Sequence, residues 1–225
     1  LDKRLLSSSL QHVMRANAIW DLPFGSGRKW AANSRGLVQH LIGGWQIGVI
    51  FNAFSGDPLG FSTGAATFNQ FTDNTPMASG KLNPHLGKVV VDGSGVTFIQ
   101  GVTQSPDPSI AAMVSPTVRS RSTLRQVTFG SGSDQVTLFN PVAGQIGALA
   151  QRAFYGPGYF RFDANVIKTV KMTETINFQF NAIFENASNT PQWNNPTMDI
   201  NSLNFGRITG GFGNRIVVLG GRVNF

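Results

Sequence analysis

The sequence contains no cysteine, and glutamate occurs in it only twice, as Glu174 and Glu185. Charged residues make up 13% of the chain, which is about half of the share that is typical of soluble proteins. The missing thiols exclude a disulfide-stapled scaffold and any thiolate metal site. Strong helix formers are scarce, whereas the 26 glycines and 18 phenylalanines favour strands and turns. This composition argues against a helical bundle and against a typical α/β enzyme.

Long apolar runs are also missing from the sequence. No stretch approaches the roughly 18 consecutive apolar residues that indicate a transmembrane helix. Membrane β-barrels stay open as a class, because their alternating strands escape a hydropathy scan. The chain begins at Leu1 without a methionine or a signal peptide and stops at Phe225 inside a strand-like pattern, so we expect a piece whose N-terminal part is missing.

The positive charge of the chain raises the question of a nucleic-acid partner. The formal net charge is +7, and a basic balance of this size is compatible with nucleic-acid binding. However, the cations are scattered along the chain. Only Arg119, Arg121 and Arg125 approach a cluster, and no aromatic residues interleave with them. We therefore expect no nucleic-acid partner.

Five segments alternate strictly between apolar and other residues, which is the pattern of a β-strand with two different faces. In the clearest segment, Ile176, Phe178 and Phe180 alternate with Asn177 and Gln179. Most of these runs span about 11 to 13 residues, whereas soluble strands usually span about 5–6 and a tilted membrane-crossing strand about 9–11. Length therefore favours a membrane sheet over a soluble sandwich, which shows the same alternation. The segments are residues 12–22, 44–54, 159–171, 175–185 and 217–225.

The connections between these segments differ in length. Lys171–Glu174 predicts a tight turn, residues 187–213 a long loop, and residues 56–158 a much longer polar stretch. Short turns on one side and long loops on the other are typical of outer-membrane barrels. Residues 33–42 predict one or two helical turns before a pair of glycines. Within the polar stretch we predict short strands at Lys88–Val91, Val96–Gln100, Leu124–Phe129 and Gln135–Phe139.

These patterns predict an all-β fold, built from the antiparallel strands of a transmembrane β-barrel. We expect a partial barrel from an incomplete chain, with long extracellular loops. Residues 1–63 hold barrel strands and a connecting segment, and residues 64–150 form a long polar loop region with room for a short hairpin. Residues 151–225 hold the C-terminal barrel strands, including the closing strand.

Several short motifs carry a family resemblance. The chain reads WDLPFGSGR at 20–28, GGWQI at 43–47, GPGYFRFD at 156–163 and NFGRIT at 204–209. In this order they resemble motifs of the TonB-dependent outer-membrane transporters of the Oar-like group. The matches cover about half of the chain, at both of its ends, whereas the middle matches no motif of the group. One departure is Glu185, which follows Phe184 instead of occupying the usual glutamate position.

The resemblance implies energised import across the outer membrane of a Gram-negative-type bacterium. In such transporters TonB pulls on a plug, and the ligand passes through the barrel; relatives take up sugars, siderophores or peptides. The implied partners are outer-membrane lipid, TonB acting through the missing N-terminal part, and an unidentified small ligand. Phe225 with Val217, Leu219 and Val223 resembles the signal that the barrel-assembly machinery reads, through pairing with a strand edge. No enzymatic activity and no cofactor are expected.

The candidate ligand-binding residues lie on polar strand faces or in a loop: Arg161, Asp163, Asn181, Glu185 and Trp193. A hydrolase could use the paired carboxylates, but the favoured interpretation is a charge network that they form with the neighbouring arginine, because the lumen of a barrel is polar. Trp193 could stack on a ligand or pack within its loop. No metal site is expected, because the histidines at 12, 40 and 85 lack metal-ligand spacing.

The alternative function is a secreted or surface β-sandwich binding module, such as a carbohydrate-binding or adhesin-like domain. A sandwich would bury the apolar faces of its strands in a closed core between two sheets. A barrel would instead leave one continuous apolar band facing outward. Whether the apolar strand faces are buried or exposed therefore distinguishes a sandwich from a barrel.

Overall fold

The computed structural model describes residues 6–63, 75–111, 115–119, 122–142 and 144–225. The start of the chain at Leu1, part of the predicted loop region 64–150, and Arg121 lie outside the described residues. The described residues include three short helices: α1 Gly36–Ile42, α2 Pro108–Ala111 and α3 Pro116–Arg119. Within the described ranges, every helix is too short or too polar to cross a membrane.

The other described elements are strands and one 3₁₀ turn at Gly132–Asp134. The strands are β1 Val13–Asp21, β2 Trp45–Phe54, β3 Pro58–Leu59, β4 Met77–Ser79, β5 Val90–Asp92, β6 Gly95–Thr97, β7 Thr103–Pro106, β8 Arg125–Phe129, β9 Val136–Phe139, β10 Phe154–Tyr155, β11 Tyr159–Lys171, β12 Asn177–Glu185, β13 Gln192–Trp193, β14 Arg207–Ile208, β15 Gly211–Phe212 and β16 Ile216–Asn224. The predicted all-β class is confirmed.

The chain divides into two compact units, each built from segments that are separate in sequence. The sheet unit comprises residues 12–54, 159–192 and 212–225, and the loop unit comprises residues 1–11, 55–158 and 193–211. This division follows spatial contacts, whereas the boundaries 1–63, 64–150 and 151–225 follow sequence patterns.

The sheet unit is one five-stranded antiparallel sheet with the order β1-β2-β11-β12-β16. Its strands coincide with the five alternating segments of the sequence, which are thereby confirmed. The tight turn predicted at Lys171–Glu174 joins β11 and β12 into an antiparallel hairpin, and β12 also pairs with β16. The register aligns Ala164 with Phe184, and Ala182 with Leu219. Strand lengths of 9 to 13 residues suit a tilted bilayer crossing.

The register sorts the side chains of the sheet onto two faces, because directly paired residues of antiparallel strands point to the same side. One face, which we call the apolar face, is interrupted on β11 by a single cation, Lys168. The opposite face, the polar face, carries most of the charged and amide side chains. The apolar face contains Met14, Ala16, Ala18, Trp20, Trp45, Ile47, Val49, Phe51, Ala53, Phe160, Phe162, Ala164, Val166, Val170, Phe178, Phe180, Ala182, Phe184, Val217, Leu219 and Val223.

The apolar face does not enter a buried core. Trp20 is 58% exposed, Phe160 39% and Leu219 65%, and the buried hydrophobic cluster of the described residues contains none of the residues of this face. A sandwich would have buried these side chains against a second sheet. The exposed apolar band therefore agrees with the barrel prediction. Within the described chain the sheet is open, since β1 and β16 each pair on one side only.

The loop unit has a hydrophobic core of its own, which the sequence analysis did not foresee. The Phe61 ring lies 5.3 Å from that of Phe154 and 6.0 Å from those of Phe129 and Phe205, between ring centroids. A four-stranded sheet β4-β9-β8-β7 and a three-stranded sheet β14-β6-β5 contribute to this core. All four predicted short strands overlap observed ones, at β5, β6, β8 and β9.

A buried polar network also joins distant segments of the loop unit. Asp107 accepts hydrogen bonds from the backbone N–H and the side-chain amide of Asn140, at 2.7 and 2.8 Å. Asn201 donates to the side chain of Asn140 at 2.9 Å and to the carbonyl of Thr63 at 2.8 Å. Asp107 and Asn140 are almost fully buried. Pairing of this kind offsets the cost of burying polar groups.

Candidate functional site

Three of the predicted site residues meet on the polar face of the sheet. Arg161 and Asp163 lie two positions apart on β11 and therefore share a face, and Glu185 lies at the end of the neighbouring strand β12. The Arg161 Nε lies 2.8 Å from Asp163 Oδ1 and 3.0 Å from Oδ2. Its Nη2 lies 3.4 Å from Glu185 Oε2. One guanidinium thus bridges two carboxylates: its Nε–H is shared between both oxygens of Asp163, and its Nη2 contacts Glu185.

The Asp163 carboxylate has an additional donor in the loop that follows β12. The backbone N–H of Asn186 donates to Asp163 Oδ1 at 2.8 Å. Oδ1 therefore accepts two hydrogen bonds, and Oδ2 accepts one from Arg161. The arrangement is that of a charge network on a polar wall.

Asn186 organises the loop after β12, and the sequence analysis assigned it no role. Its side-chain Nδ2 donates to the carbonyl of Thr190 at 2.9 Å and to the carbonyl of Gly213. Its Oδ1 accepts from Ser188 Oγ and from Thr190 N, both at 3.2 Å. The residue is 2% exposed and has a φ of 48°, in the left-handed region that asparagine tolerates.

Asn181 lies on the same face, four residues before Glu185 on β12. It is paired with Ile167 of β11, and Asn165 is paired with Ile183, so the two asparagines are diagonal neighbours across the strands. The Oδ1 atoms of both are buried without a hydrogen-bond partner. Buried amide oxygens are normally paired. Two such acceptors on one wall can bind hydroxyl or N–H groups of a ligand or of water.

Trp193 belongs to the loop unit, whereas the other predicted site residues belong to the sheet unit. It is half-buried and packs against the hydrophobic core of that unit. This is the packing alternative that the sequence left open, and no ligand-stacking role follows from it. The structure therefore brings together Arg161, Asp163 and Glu185, with Asn181 on the same face.

The loop unit contains a polar cavity of about 310 Å³ that the sequence analysis missed. Asp92 and Arg207 lie in its lining together with Gln100 and Gln104. The hydroxyl and backbone N–H of Ser94 donate to Asp92 Oδ1 and, with the Arg207 charge, hold the pKa of Asp92 below its ordinary value. The site thus carries an anion and a cation beside two amides. The only feature of the sequence that pointed to this cavity was the NFGRIT motif, which contains Arg207.

The NFGRIT motif has a clear structural role in the loop unit. Phe205 is 3% exposed in the core, and the carbonyl of Gly206 accepts hydrogen bonds from the backbone N–H groups of Phe98 and Ile99 at 2.8 and 3.1 Å. The φ of Gly206 is 74°, a region that glycine adopts without a steric penalty. Arg207 donates to the carbonyl of Ser94 at 3.1 Å. The motif therefore anchors the wall of the polar cavity.

The remaining predicted features concern metals and assembly. Among the described residues no group of three His, Asp or Glu side chains could hold a metal ion. His85 stacks on the Tyr155 ring at 4.9 Å between centroids. The residues of the predicted assembly signal, Val217, Leu219, Val223 and Phe225, are exposed on or directly after β16. Their role stays a prediction.

Comparison with known proteins gives one match. The family model described as "Outer membrane beta barrel domain" matches residues 1–217. No curated protein and no solved structure matches the chain.

Proposed function

The chain belongs to the outer membrane beta barrel domain family, and from the resemblance of its motifs to the Oar-like group we propose that it supplies the C-terminal strands of a TonB-dependent transporter. The protein is accordingly located in the outer membrane of a Gram-negative bacterium and contacts the lipid of that membrane. The finer proposal is energised uptake of a small polar ligand. Its source is the resemblance of the motifs at both ends of the chain to the Oar-like group.

The observation that carries the proposal is the contrast between the two faces of the five-stranded sheet. The apolar face is exposed and suits lipid, whereas the polar face carries the Arg161–Asp163–Glu185 network and the acceptors of Asn165 and Asn181. In transmembrane barrels the face opposite the lipid lines the lumen. A wall of charged and amide groups favours the passage of a polar solute.

The position of the resembling motifs in the fold supports the same proposal. In GGWQI, Gly44 has a φ of 72°, and a Cβ there would lie 2.3 Å from the carbonyl oxygen of Thr169. Gly156, the first residue of GPGYFRFD, lies directly against the backbone of Gly56. A Cβ added to Gly56 would lie 1.8 Å from the carbonyl oxygen of Gly156. In both motifs, glycine therefore occurs where the backbone packs closely against another segment.

The polar cavity of the loop unit is the proposed first contact for the ligand. Its volume of about 310 Å³ lies at the lower end of small-molecule pockets. The side-chain N–H groups of Gln100 and Gln104 are donated to protein oxygens, so these two residues offer acceptors to a ligand, and Asp92 accepts while Arg207 donates. This set suits a hydroxyl-rich molecule such as a sugar better than an apolar one. No catalytic role is proposed.

Assembly by the barrel-assembly machinery forms part of the proposal. β16 is an edge strand of the sheet and presents Val217, Leu219 and Val223 on its apolar face. A free strand edge with an apolar row is what β-augmentation uses. We expect Phe225→Asp to lower the yield of full-length protein in the outer-membrane fraction while leaving TonB binding of the assembled protein unchanged. A normal yield would contradict this role.

The transport proposal is tested with the full-length protein and the purified periplasmic domain of TonB. We expect the TonB domain to bind the detergent-solubilised full-length protein saturably. In cells, we expect the protein to take up at least one labelled probe among maltotriose, ferrichrome and a tripeptide. Uptake should stop when a protonophore collapses the proton gradient. Absence of TonB binding, or passage that persists without the gradient, would contradict the proposal and indicate a passive channel.

A further inference from the structure

The connection between β1 and β2 contains a helix whose apolar residues point away from the protein. On α1, Leu37 is 81% exposed, Val38 56% and Leu41 72%. Their spacing i, i+1 and i+4 puts them on one side of the helix. Gln39, on the other side, accepts hydrogen bonds from Ser34 Oγ and Ser26 N, each at 2.6 Å. A helix of a soluble protein turns its apolar side toward the protein core. α1 does the opposite, because its apolar side faces outward and its polar side contacts the protein.

Two side chains hold the C-terminal end of this helix, and both come from the apolar face of the sheet. Trp45 Nε1 donates to the carbonyl of Leu41 at 2.8 Å. The Lys168 ammonium donates to the same carbonyl at 3.3 Å and to the carbonyl of Gly43. Since Trp45 and Lys168 are paired on the apolar face, α1 lies on the side of the sheet that faces lipid.

The position of α1 along the strands fits the boundary of the membrane. α1 ends just before Trp45, the first residue of β2. The tight turn of residues 172–176, which joins β11 to β12, lies at this same end of the sheet. Outer-membrane barrels place their short turns on the periplasmic side. Tryptophan and snorkelling lysine side chains are typical of the interface.

The charge of this connection complements anionic headgroups. Residues 22–44 contain Arg28, Lys29 and Arg35, all exposed, and no Asp or Glu. The carboxylate just before the connection, Asp21, accepts a hydrogen bond from Gln46 Nε2 at 2.8 Å; Glu174 lies in the neighbouring turn. A short helix with exposed apolar residues and nearby cations has the composition of an interfacial membrane segment.

We propose that α1 and the cations of residues 22–44 form an interfacial anchor that binds the anionic phospholipid headgroups of the periplasmic leaflet. Leu37, Val38 and Leu41 enter the boundary between headgroups and acyl chains, while Lys168 fastens the helix to the barrel wall. The anchor depends on the barrel alone and stands apart from the transport proposal. Its occupant is lipid, because the outward side is apolar and the surrounding charge is basic.

The 225 residues contain no cysteine, so a single introduced cysteine reports on depth once any cysteine elsewhere in the full-length protein has been replaced by serine. Full-length Leu41→Cys, labelled with an environment-sensitive fluorophore, is compared with Leu203→Cys, whose native leucine is 71% exposed in the loop unit. Both are placed in nanodiscs of phosphatidylethanolamine and phosphatidylglycerol that contain a headgroup nitroxide quencher. We expect at least about threefold stronger quenching at position 41, as an interfacial helix requires. Equal quenching at both positions would overturn the proposal.

A second measurement tests the headgroup charge. In nanodiscs of phosphatidylcholine alone, the label at position 41 should be quenched less than in discs with phosphatidylglycerol. Adding Arg28→Gln, Lys29→Gln and Arg35→Gln should abolish this difference, whereas Lys81→Gln, a change of an exposed loop-unit cation, should preserve it. A difference that survives the triple change would overturn the assignment to anionic lipid. Heat-modifiable gel mobility of each variant verifies that its barrel has folded.

Discussion

The ammonium of Lys168 lies 5.0 Å from the centroid of the Trp45 ring, and the two residues are paired across β11 and β2 on the apolar face. The cation is only 8% exposed although it belongs to a row of aliphatic and aromatic side chains. A charge on such a face is tolerated when its head group is hydrogen-bonded near the interface. The carbonyl groups at the end of α1 provide that environment.

A charge elsewhere on the apolar face should be costly. Ala164 lies in the middle of β11, paired with Phe184 and Val49. We expect Ala164→Lys to lower the free energy of unfolding in lipid by about 2–4 kcal/mol, the penalty for a lysine at the bilayer midplane. The control is Asn165→Lys, one residue away on the polar face, which should have a much smaller effect. Urea titration of both proteins measures the difference, and equal losses would contradict the assignment of faces.

Gly44 should not tolerate a side chain. Its φ is 72°, and a Cβ added there would lie only 2.3 Å from the Thr169 oxygen, so both the backbone conformation and the available space oppose alanine. We expect Gly44→Ala to cost at least about 1–2 kcal/mol, the penalty of the left-handed conformation alone. The control is Gly220→Ala on β16, where a Cβ would meet no atom within 4 Å. Thermal unfolding compares the two; equal midpoints would show that the junction of α1 and β2 adapts.

The loop after β12 offers a matched pair of asparagines. Asn186 has a φ of 48° and Asn189 a φ of 50°, so alanine is strained to a similar extent at both. The Asn186 side chain makes buried hydrogen bonds, whereas Asn189 accepts one from Arg215 N at 3.3 Å in an exposed position. We expect Asn186→Ala to be more destabilising by about 1–3 kcal/mol. Similar unfolding energies for the two variants would refute the organising role.

The bridge made by Arg161 should stabilise the polar face modestly. Arg161→Gln leaves the carboxylates of Asp163 and Glu185 without their shared cation. Because these groups are partly exposed, we expect a loss of about 1 kcal/mol or less in unfolding free energy. Arg222→Gln, opposite Gln179 on the same face, removes an equal charge as the control. A larger loss for Arg222→Gln would count against the network.

The sequence predicted the sheet well because alternation is a local property. Residues two apart on a strand share a face whatever surrounds them, so Phe178 and Phe180 identified the apolar row of β12 before any contact was known. The same rule placed Arg161 beside Asp163. Long strands with an apolar face then pointed to the membrane, and the family match agrees.

The core of the loop unit could not be predicted in this way. Phe61, Phe129, Phe154 and Phe205 follow no common period and come from four segments that are far apart in the sequence. They form one cluster because short strands from distant segments pair with one another. Likewise, Asn140 contacts Asp107 and Asn201 only through the folded chain.

The sequence by itself determined which residues form the five long strands and which face each side chain takes, because a two-residue period is written into consecutive positions. It also placed a lysine at position 168 in an apolar row. Only the tertiary structure decided that this cation is covered, because α1 is brought by the β1–β2 connection to a strand far away in sequence. The hydrogen bonds from Lys168 and Trp45 to the end of α1 exist only once that connection has folded onto the sheet.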